Sequence, residues 1–247
     1  MTLAHDPVPS SPLYRRVVAR LTEKLAAGEW KPGDAIPSES RLAEQFVVSV
    51  GTIRKAIDEL VAGKILVRQQ GRGTFIATHS EDRFLYHFFH VVARDVIKRF
   101  PTVQTLSFRR ARADTMATER LRIARGARVI RIQNLLRIED RPVVLDDITL
   151  PVELFPDLNK DVFTNRLGTI YHLYQERYAI NVVRAVERLR AVLADVSAAR
   201  ALGVRAGTPL LEINRTAYTY RDQPVEIRRS LVNTERHEYL SDFGRQP

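Results

Sequence analysis

Arg54, Lys55 and Arg72 are the side chains in the first third of this 247-residue chain whose types and surroundings suit a polyanion. Arg54 and Lys55 follow Ser49-Val50-Gly51-Thr52, where a helix laid into a major groove presents side chains to base edges and backbone. Arg72 stands between Gly71 and Gly73, and an arginine on such a tip can enter a narrow minor groove, where the potential is most negative. Taken singly, these features fit a solvated helix face and a soluble hairpin; taken together they favour DNA. Far downstream, Glu226 and Arg228 are one strand period apart, so they point to the same side, and Arg228 can pair with a carboxylate. No set of nucleophile, base and orienting group emerges, and no paired catalytic carboxylates do, so catalysis is not the reading.

The cations need a frame to present them. Ile53, Ala56, Ile57 and Leu60 recur at i, i+3, i+4 and i+7, an apolar stripe that must face a core, which leaves Val50, Gly51, Arg54, Lys55 and Asp58 on the other side. Ser49 can cap that helix, and its first turn offers free N–H groups and the positive end of the dipole to a phosphate. A preceding helix starts with Ser38 as its cap, and Val47 lies in the turn between the two, where a positive φ strains a β-branched residue. Ile65 to Gln69 and Thr74 to Ala77 read as short strands around Gln70-Gly71-Arg72-Gly73, which can adopt the positive φ of a tight hairpin. Upstream, Tyr14, Val17, Val18, Leu21 and Leu25 form a further helical stripe ended by Gly28, and Trp30 is expected to plug the core. Helix, turn, helix and hairpin in that order make a winged helix-turn-helix. The expected DNA-facing set is Ser38, Ser40, Arg41, Ser49, Val50, Gly51 and Thr52, with Arg54, Lys55, Arg68, Gly71, Arg72 and Gly73.

The formal net charge is +10, which favours polyanionic partners. Its distribution qualifies that: residues 1–78 carry 11 Lys and Arg against 8 Asp and Glu, while the remainder carries 28 against 21. Placement of particular cations is therefore a better argument than bulk charge, and a basic downstream region also favours an anionic effector. Without cysteine there are no disulfides and no thiolate chemistry, which fits a reducing cytoplasm. No leader pattern and no membrane-spanning run is found, so the expectation is a cytoplasmic protein. Length suits two modest domains, each able to bury a core. The expected organisation is a disordered arm over 1–11, a DNA-binding domain over 12–77, a polar linker over 78–82 and a second domain over 83–243.

Residues 13–77 resemble the N-terminal domain of the GntR family of bacterial transcription regulators. The resemblance runs through Gly33-Asp34-Ala35-Ile36-Pro37-Ser38-Glu39, Leu42-Ala43-Glu44-Gln45-Phe46, Ser49-Val50-Gly51-Thr52-Ile53-Arg54-Lys55-Ala56 and Gly71-Arg72-Gly73-Thr74-Phe75. It implies DNA contacts at Arg54, at the wing glycines and at Arg72. Val50 and Ser40 stand where the family usually or often has arginine. Losing two cations per subunit weakens phosphate attraction and flattens the salt dependence of binding, while Val50 can meet a thymine methyl.

The second domain opens with Arg83-Phe84-Leu85-Tyr86-His87-Phe88-Phe89-His90-Val91-Val92, which reads as a strand covered on both faces or lining a pocket. Strand Val103–Ala113, a helix near Thr115–Ile123 and a hairpin of Arg128–Ile138 with Val143–Leu150 follow, the hairpin with one solvated and one buried face. Then come helix Gly168–Tyr178, strand Val182–Leu193, helix Ser197–Leu202 and a last hairpin of Pro209–Tyr220 with Val225–Val232. The two halves echo each other. This region is similar to the UTRA effector domain of the HutC-type GntR subfamily, through Arg125-Gly126-Ala127-Arg128-Val129-Ile130, Arg141-Pro142-Val143, Gly168-Thr169-Ile170-Tyr171 and Ala206-Gly207-Thr208-Pro209-Leu210. The fold class expected is thus α+β: a winged helix-turn-helix followed by an antiparallel-sheet UTRA domain with a chorismate lyase-like fold.

That resemblance implies a small-molecule effector bound on the sheet. Asp146, Thr169, Tyr171 and Glu226 are the matched positions that stay polar, Arg228 joins them by strand period, and His87, Phe89 and His90 lie where the family often has a ligand-binding loop. Members that bind sugar phosphates use an Arg-x-Arg pair where this chain has Asn134 and Leu136. A leucine cannot neutralise a phosphate, so a phosphosugar is disfavoured and a carboxylate is one candidate. His87 and His90, three apart, do not share a strand face, and no further metal ligand can be placed, so neither metal nor cofactor is expected. The function implied is a homodimeric repressor released by its effector from a pseudo-palindromic operator in double-stranded DNA, with half-sites about 34 Å apart. The alternatives are an enzyme on the chorismate lyase-like fold and a DNA-binding protein without an effector.

Overall fold

The computed structural model describes residues 12–78, 89–94 and 99–241, and it divides into two compact units, Met1–Thr78 and His79–Pro247. The expected arm over 1–11, most of the linker and the start of the aromatic stretch, including His87, lie outside the described residues.

In the first unit, α1 (Leu13–Ala26), α2 (Glu39–Phe46) and α3 (Val50–Ala62) precede a hairpin of β1 (Leu66–Gln69) and β2 (Gly73–Ile76). Val17, Leu21 and Leu25 of α1, Leu42 and Phe46 of α2, and Ile53, Ala56, Ile57 and Leu60 of α3 are all buried, as the 3.6-residue spacing dictates. Ala35 bridges to Phe75, so the segment before α2 is tied to the hairpin. Trp30 departs from expectation: it is half-buried at the rim, with the Lys24 amine 5.8 Å from its ring centroid. Val47 ends α2 at φ 52°, ψ 52° and is 89 % exposed. A β-branched residue in the left-handed region stores strain of roughly 1–3 kcal/mol that no packing offsets here.

The second unit is built on a six-stranded antiparallel sheet in the order β4-β5-β6-β9-β8-β7. Its strands are β4 (Thr102–Arg112), β5 (Arg128–Ile138), β6 (Arg141–Pro151), β7 (Arg184–Leu193), β8 (Pro209–Tyr218) and β9 (Pro224–Val232). The internal echo in the sequence is a structural one: strand, helix and hairpin occur twice, and β6 of the first copy pairs with β9 of the second. The two helices that follow the outer strands, α4 (Thr115–Leu121) and α7 (Val196–Leu202), start on the aspartate caps Asp114 and Asp195. They cross over, α4 packing on β9 and α7 on β6. The opposite face carries α5 (Lys160–Thr164) and α6 (Ile170–Tyr178), whose Phe163, Tyr171 and Tyr174 pack on Ile130, Ile132, Ile148 and Leu150. The β5–β6 hairpin is fully buried on the α5–α6 face, and its other face is buried under α4 and α7 but half-exposed between them at Arg131, Gln133 and Asp147, rather than solvated throughout. A short ribbon of β3 (Val91–Ala93) and β10 (His237–Tyr239) completes the unit.

Candidate functional sites

The first candidate surface lies on α3 and the wing. Ser49 accepts a hydrogen bond from the Thr52 amide at 3.2 Å, and its Oγ lies 2.9 Å from the Thr52 hydroxyl, so the first turn of α3 is fixed. Ser38 caps α2 in the same way through the Arg41 amide. Between Gln69 and Gly73, which pair in register, Gly71 and Gly73 have φ of 72° and 116°, and the Arg72 amide donates to the Gln69 carbonyl at 3.0 Å. Only glycine takes such angles without cost, and the result is a tight tip that leaves Arg72 exposed. Ser38, Ser40, Arg41, Ser49, Val50, Gly51, Arg54, Lys55, Arg68, Gly71, Arg72 and Gly73 are all exposed, and Thr52 is half-buried. The spacing missed Glu39, whose carboxylate accepts from Arg54 Nε at 2.9 Å and from Arg68 Nη2 at 3.3 Å; Arg68 also reaches Asp58 at 2.6 Å. Lys55 Nζ sits 4.3 Å above the Tyr14 ring. Exposed pairs of this kind contribute only about 0–1 kcal/mol each, so they orient the guanidiniums and yield readily to a phosphate.

The second candidate is a buried polar belt across the α5–α6 face of the sheet. Arg228 donates to both oxygens of Glu226, Nε to Oε1 at 3.0 Å and Nη2 to Oε2 at 3.1 Å, and its Nη1 reaches Asp146 at 3.3 Å. Glu226 also accepts from the hydroxyls of Tyr174 at 2.8 Å and Tyr171 at 3.3 Å, and Asp146 from Ser230 at 2.5 Å. Alongside, Arg215 donates to Glu187 at 2.6 Å, and the Tyr239 hydroxyl donates to the same carboxylate. The carboxylate partner expected for Arg228 is thus found within the chain. Burial pushes the Tyr171 hydroxyl up to about 12, with the Glu226 charge adding to the effect. Burial also raises the Asp146 carboxyl, outweighing Arg228 and Ser230. For Glu187 burial acts in the same direction, but the Arg215 guanidinium and the Tyr239 hydroxyl prevail and hold it low.

Thr169 is buried and its hydroxyl oxygen is taken by the α6 cap, accepting from the His172 amide at 3.1 Å. Phe89 is buried in an apolar cluster with Leu136 and Val144, while His90 stacks 5.1 Å from Tyr239 on the ribbon that roofs the belt. Between roof and sheet remains a cavity of about 30 Å³ lined by His90, Asp146, Glu187, Arg215, Arg228 and Tyr239. Asn134 pairs in register with Asp146, is fully buried, and neither its Oδ1 nor its Nδ2 has a hydrogen-bond partner among the described residues. Leaving such an amide unpaired costs about 1–3 kcal/mol. Sequence reasoning brought Asp146, Tyr171, Glu226 and Arg228 together but missed Tyr174, Glu187, Arg215, Ser230 and Tyr239. Of these only Glu187 and Arg215 left a signal, as opposite charges on two alternating strands. No group of metal-binding side chains is found among the described residues.

A winged helix-turn-helix joined in one chain to an antiparallel sheet with a closed polar belt defines a class of DNA-binding regulator. Residues 13–76 match the model for bacterial regulatory proteins of the gntR family, and residues 98–238 match the UTRA domain. The chain belongs to the GntR family and has the domain pair of its HutC-type, UTRA-containing members. It is 31 % identical to the mannosyl-D-glycerate transport/metabolism system repressor MngR of Escherichia coli K12, over 92 % of this chain and 94 % of that one. It is 29 % identical to the histidine utilization repressor of Klebsiella aerogenes, over 85 % of this chain and 86 % of the relative. Among solved structures, the ligand-binding domain of a GntR-family regulator from Bordetella bronchiseptica is 33 % identical with a TM-score of 0.61, covering 64 % of this chain and 99 % of that domain. The protein is a DNA-binding transcription regulator and not an enzyme. No helix among the described residues is long and apolar enough to cross a membrane.

Proposed function

We propose that the chain acts in the cytoplasm as a homodimeric repressor whose operator affinity is set by a small molecule bound in the polar belt. Arg54 on α3 and Arg72 on the wing enter adjacent grooves of one duplex, with the capped first turns of α2 and α3 positioning the phosphates. Val50, with no cation beside it in the first turn of α3, supports an operator that departs from the family's usual sequence and a shallow salt dependence. Binding-site selection that returned the ordinary family consensus at ordinary affinity would remove that part of the reading.

The observation that carries effector control is Asn134, a fully buried amide with no hydrogen-bond partner among the described residues, set beside a belt in which Arg228, Asp146 and Ser230 are paired with one another. A ligand that supplies its missing hydrogen bonds gains what the empty protein forgoes. The effector is not a phosphosugar, because Leu136 lies in the apolar cluster and both nearby guanidiniums are engaged by Asp146, Glu187 and Glu226. An effector carboxylate must therefore displace one of those three side chains. The present cavity has room for about one water, so binding requires the β3–β10 roof to lift, which couples occupancy to a change of shape. Fluorescence anisotropy on a selected operator, with a panel of sugars, amino acids and carboxylates, tests the reading. A compound that lowers operator affinity for the native chain and has no effect on Asn134→Leu supports it, and ligands that bind without altering operator affinity contradict it.

A further inference from the structure

The other face of the sheet carries a site that the effector reading does not use. Between α4 at one end and α7 at the other, one register row runs Ser107, Gln133, Asp147, Arg229, Asn214 and Arg188, polar in all six strands. A sheet face that packs against its own helices is apolar, as Val129 and Ile227 are beneath Ala117 and Leu121 of α4. Five of the six, all but Arg188, instead floor a pocket of about 320 Å³, within the range of small-molecule sites.

Charge identifies what the pocket takes. Arg131 is neutralised by Asp114 at 2.6 Å, and Arg229 by Glu212 at 2.6 Å with Asp147 at 3.8 Å. Arg109 and Arg120 have no carboxylate partner among the described residues. Arg120 reaches in from α4, half-buried, and spends both Nε and Nη2 on the neutral Thr216 hydroxyl at 3.2 and 2.7 Å. Burial, aided by Arg188, makes its proton easier to lose, the sign of a cation lacking an anion. Glu119, at the neighbouring end of the trench, is the one acid among the described lining residues outside these pairs.

We propose that this pocket binds a small polyanion, with Arg109 and Arg120 meeting its charges and Gln133, Thr149 and Asn214 accepting or donating its hydrogen bonds. The site is back to back with the belt, since Gln133 and Asn134, Asp146 and Asp147, and Arg228 and Arg229 are neighbours on shared strands facing opposite ways. It does not depend on the belt being an effector site.

Isothermal titration calorimetry on the full chain at fixed ionic strength, with inorganic pyrophosphate in one arm and citrate in the other, tests the proposal and separates phosphate from carboxylate recognition. Saturable binding of either anion at one site per chain is expected, weakened at least tenfold in Arg109→Gln and in Arg120→Gln and unchanged within twofold in Arg72→Ala and Asn134→Leu. Because Arg109 is exposed, its variant keeps the test valid if Arg120→Gln folds poorly. Absence of saturable heat in both arms overturns the proposal, as does full affinity in the double variant or a loss on changing Arg72, which would place the anion on the wing. Conversion of dimer to monomer in the double variant with anion affinity intact, seen by sedimentation, overturns it in favour of a second copy covering the trench.

Discussion

The two arginine-bearing regions differ in what surrounds the charge. On α3 and the wing, Arg54 and Arg68 are exposed and share Glu39, so their pairings are weak and exchangeable. In the belt, Arg228 and Arg215 are buried, the first on Glu226, which has no access to water, and the second on Glu187, which has little. A guanidinium in water can be lent to a passing phosphate at almost no structural cost; one in the core is part of what keeps the core intact. The difference teaches that residue type alone does not separate a contact from a support. Burial and the saturation of partners do.

Replacing the buried cation sharpens the contrast most. Arg228→Ala strands Glu226 and Asp146 and is expected to destabilise the second unit by about 3–5 kcal/mol in urea unfolding, whereas Arg54→Ala shifts stability by no more than about 0.5 kcal/mol. Equal effects would erase the distinction. Asn134→Leu removes an unpaired buried amide and is expected to raise stability by about 1–3 kcal/mol in the absence of ligand, with operator affinity unchanged. A loss of stability would mean that the amide has a partner in solution. In the first unit, Val47→Gly relieves the left-handed strain and raises stability by about 1 kcal/mol, since the exposed side chain packs on nothing. The last effect is confined to acid. Arg190, Arg229 and Asn214 overcome the burial of Glu212 and bring its carboxyl down to about 2 from an ordinary value of 4.5. A depressed carboxyl contributes stability above its unfolded value, so that contribution fades as pH falls from about 4.5 to about 2. Glu212→Gln is expected to flatten the melting curve's pH dependence in that window and nowhere else.

How much of this the sequence made legible follows from the range of the forces involved. The α3 stripe, the serine caps and the glycine wing are local, set within a turn or a hairpin, and they stood where spacing put them. Glu226 and Arg228 share a face because strands have a period of two, which is also local. Their ties to Tyr174, and the role of Glu187 beneath Tyr239, depend on register between distant strands and on α6 docking, which no pattern within one segment records. The five-residue α5 is too short for a periodic signal, and β10 is three residues long. Trp30 shows the reverse error: hydrophobic size argued for the core, while the structure leaves it at the rim beside Lys24.

The central claim is that Arg54 and Arg72 grip neighbouring grooves of one operator. Its most direct test is an anisotropy titration of the selected operator with the Arg54→Ala, Arg72→Ala double variant at fixed salt, alongside a thermal melt. An unchanged melt with affinity reduced on the order of 100-fold or more, and with selectivity over random duplex lost, is the predicted result. A folded double variant that binds the operator as tightly and as selectively as the native chain would contradict it.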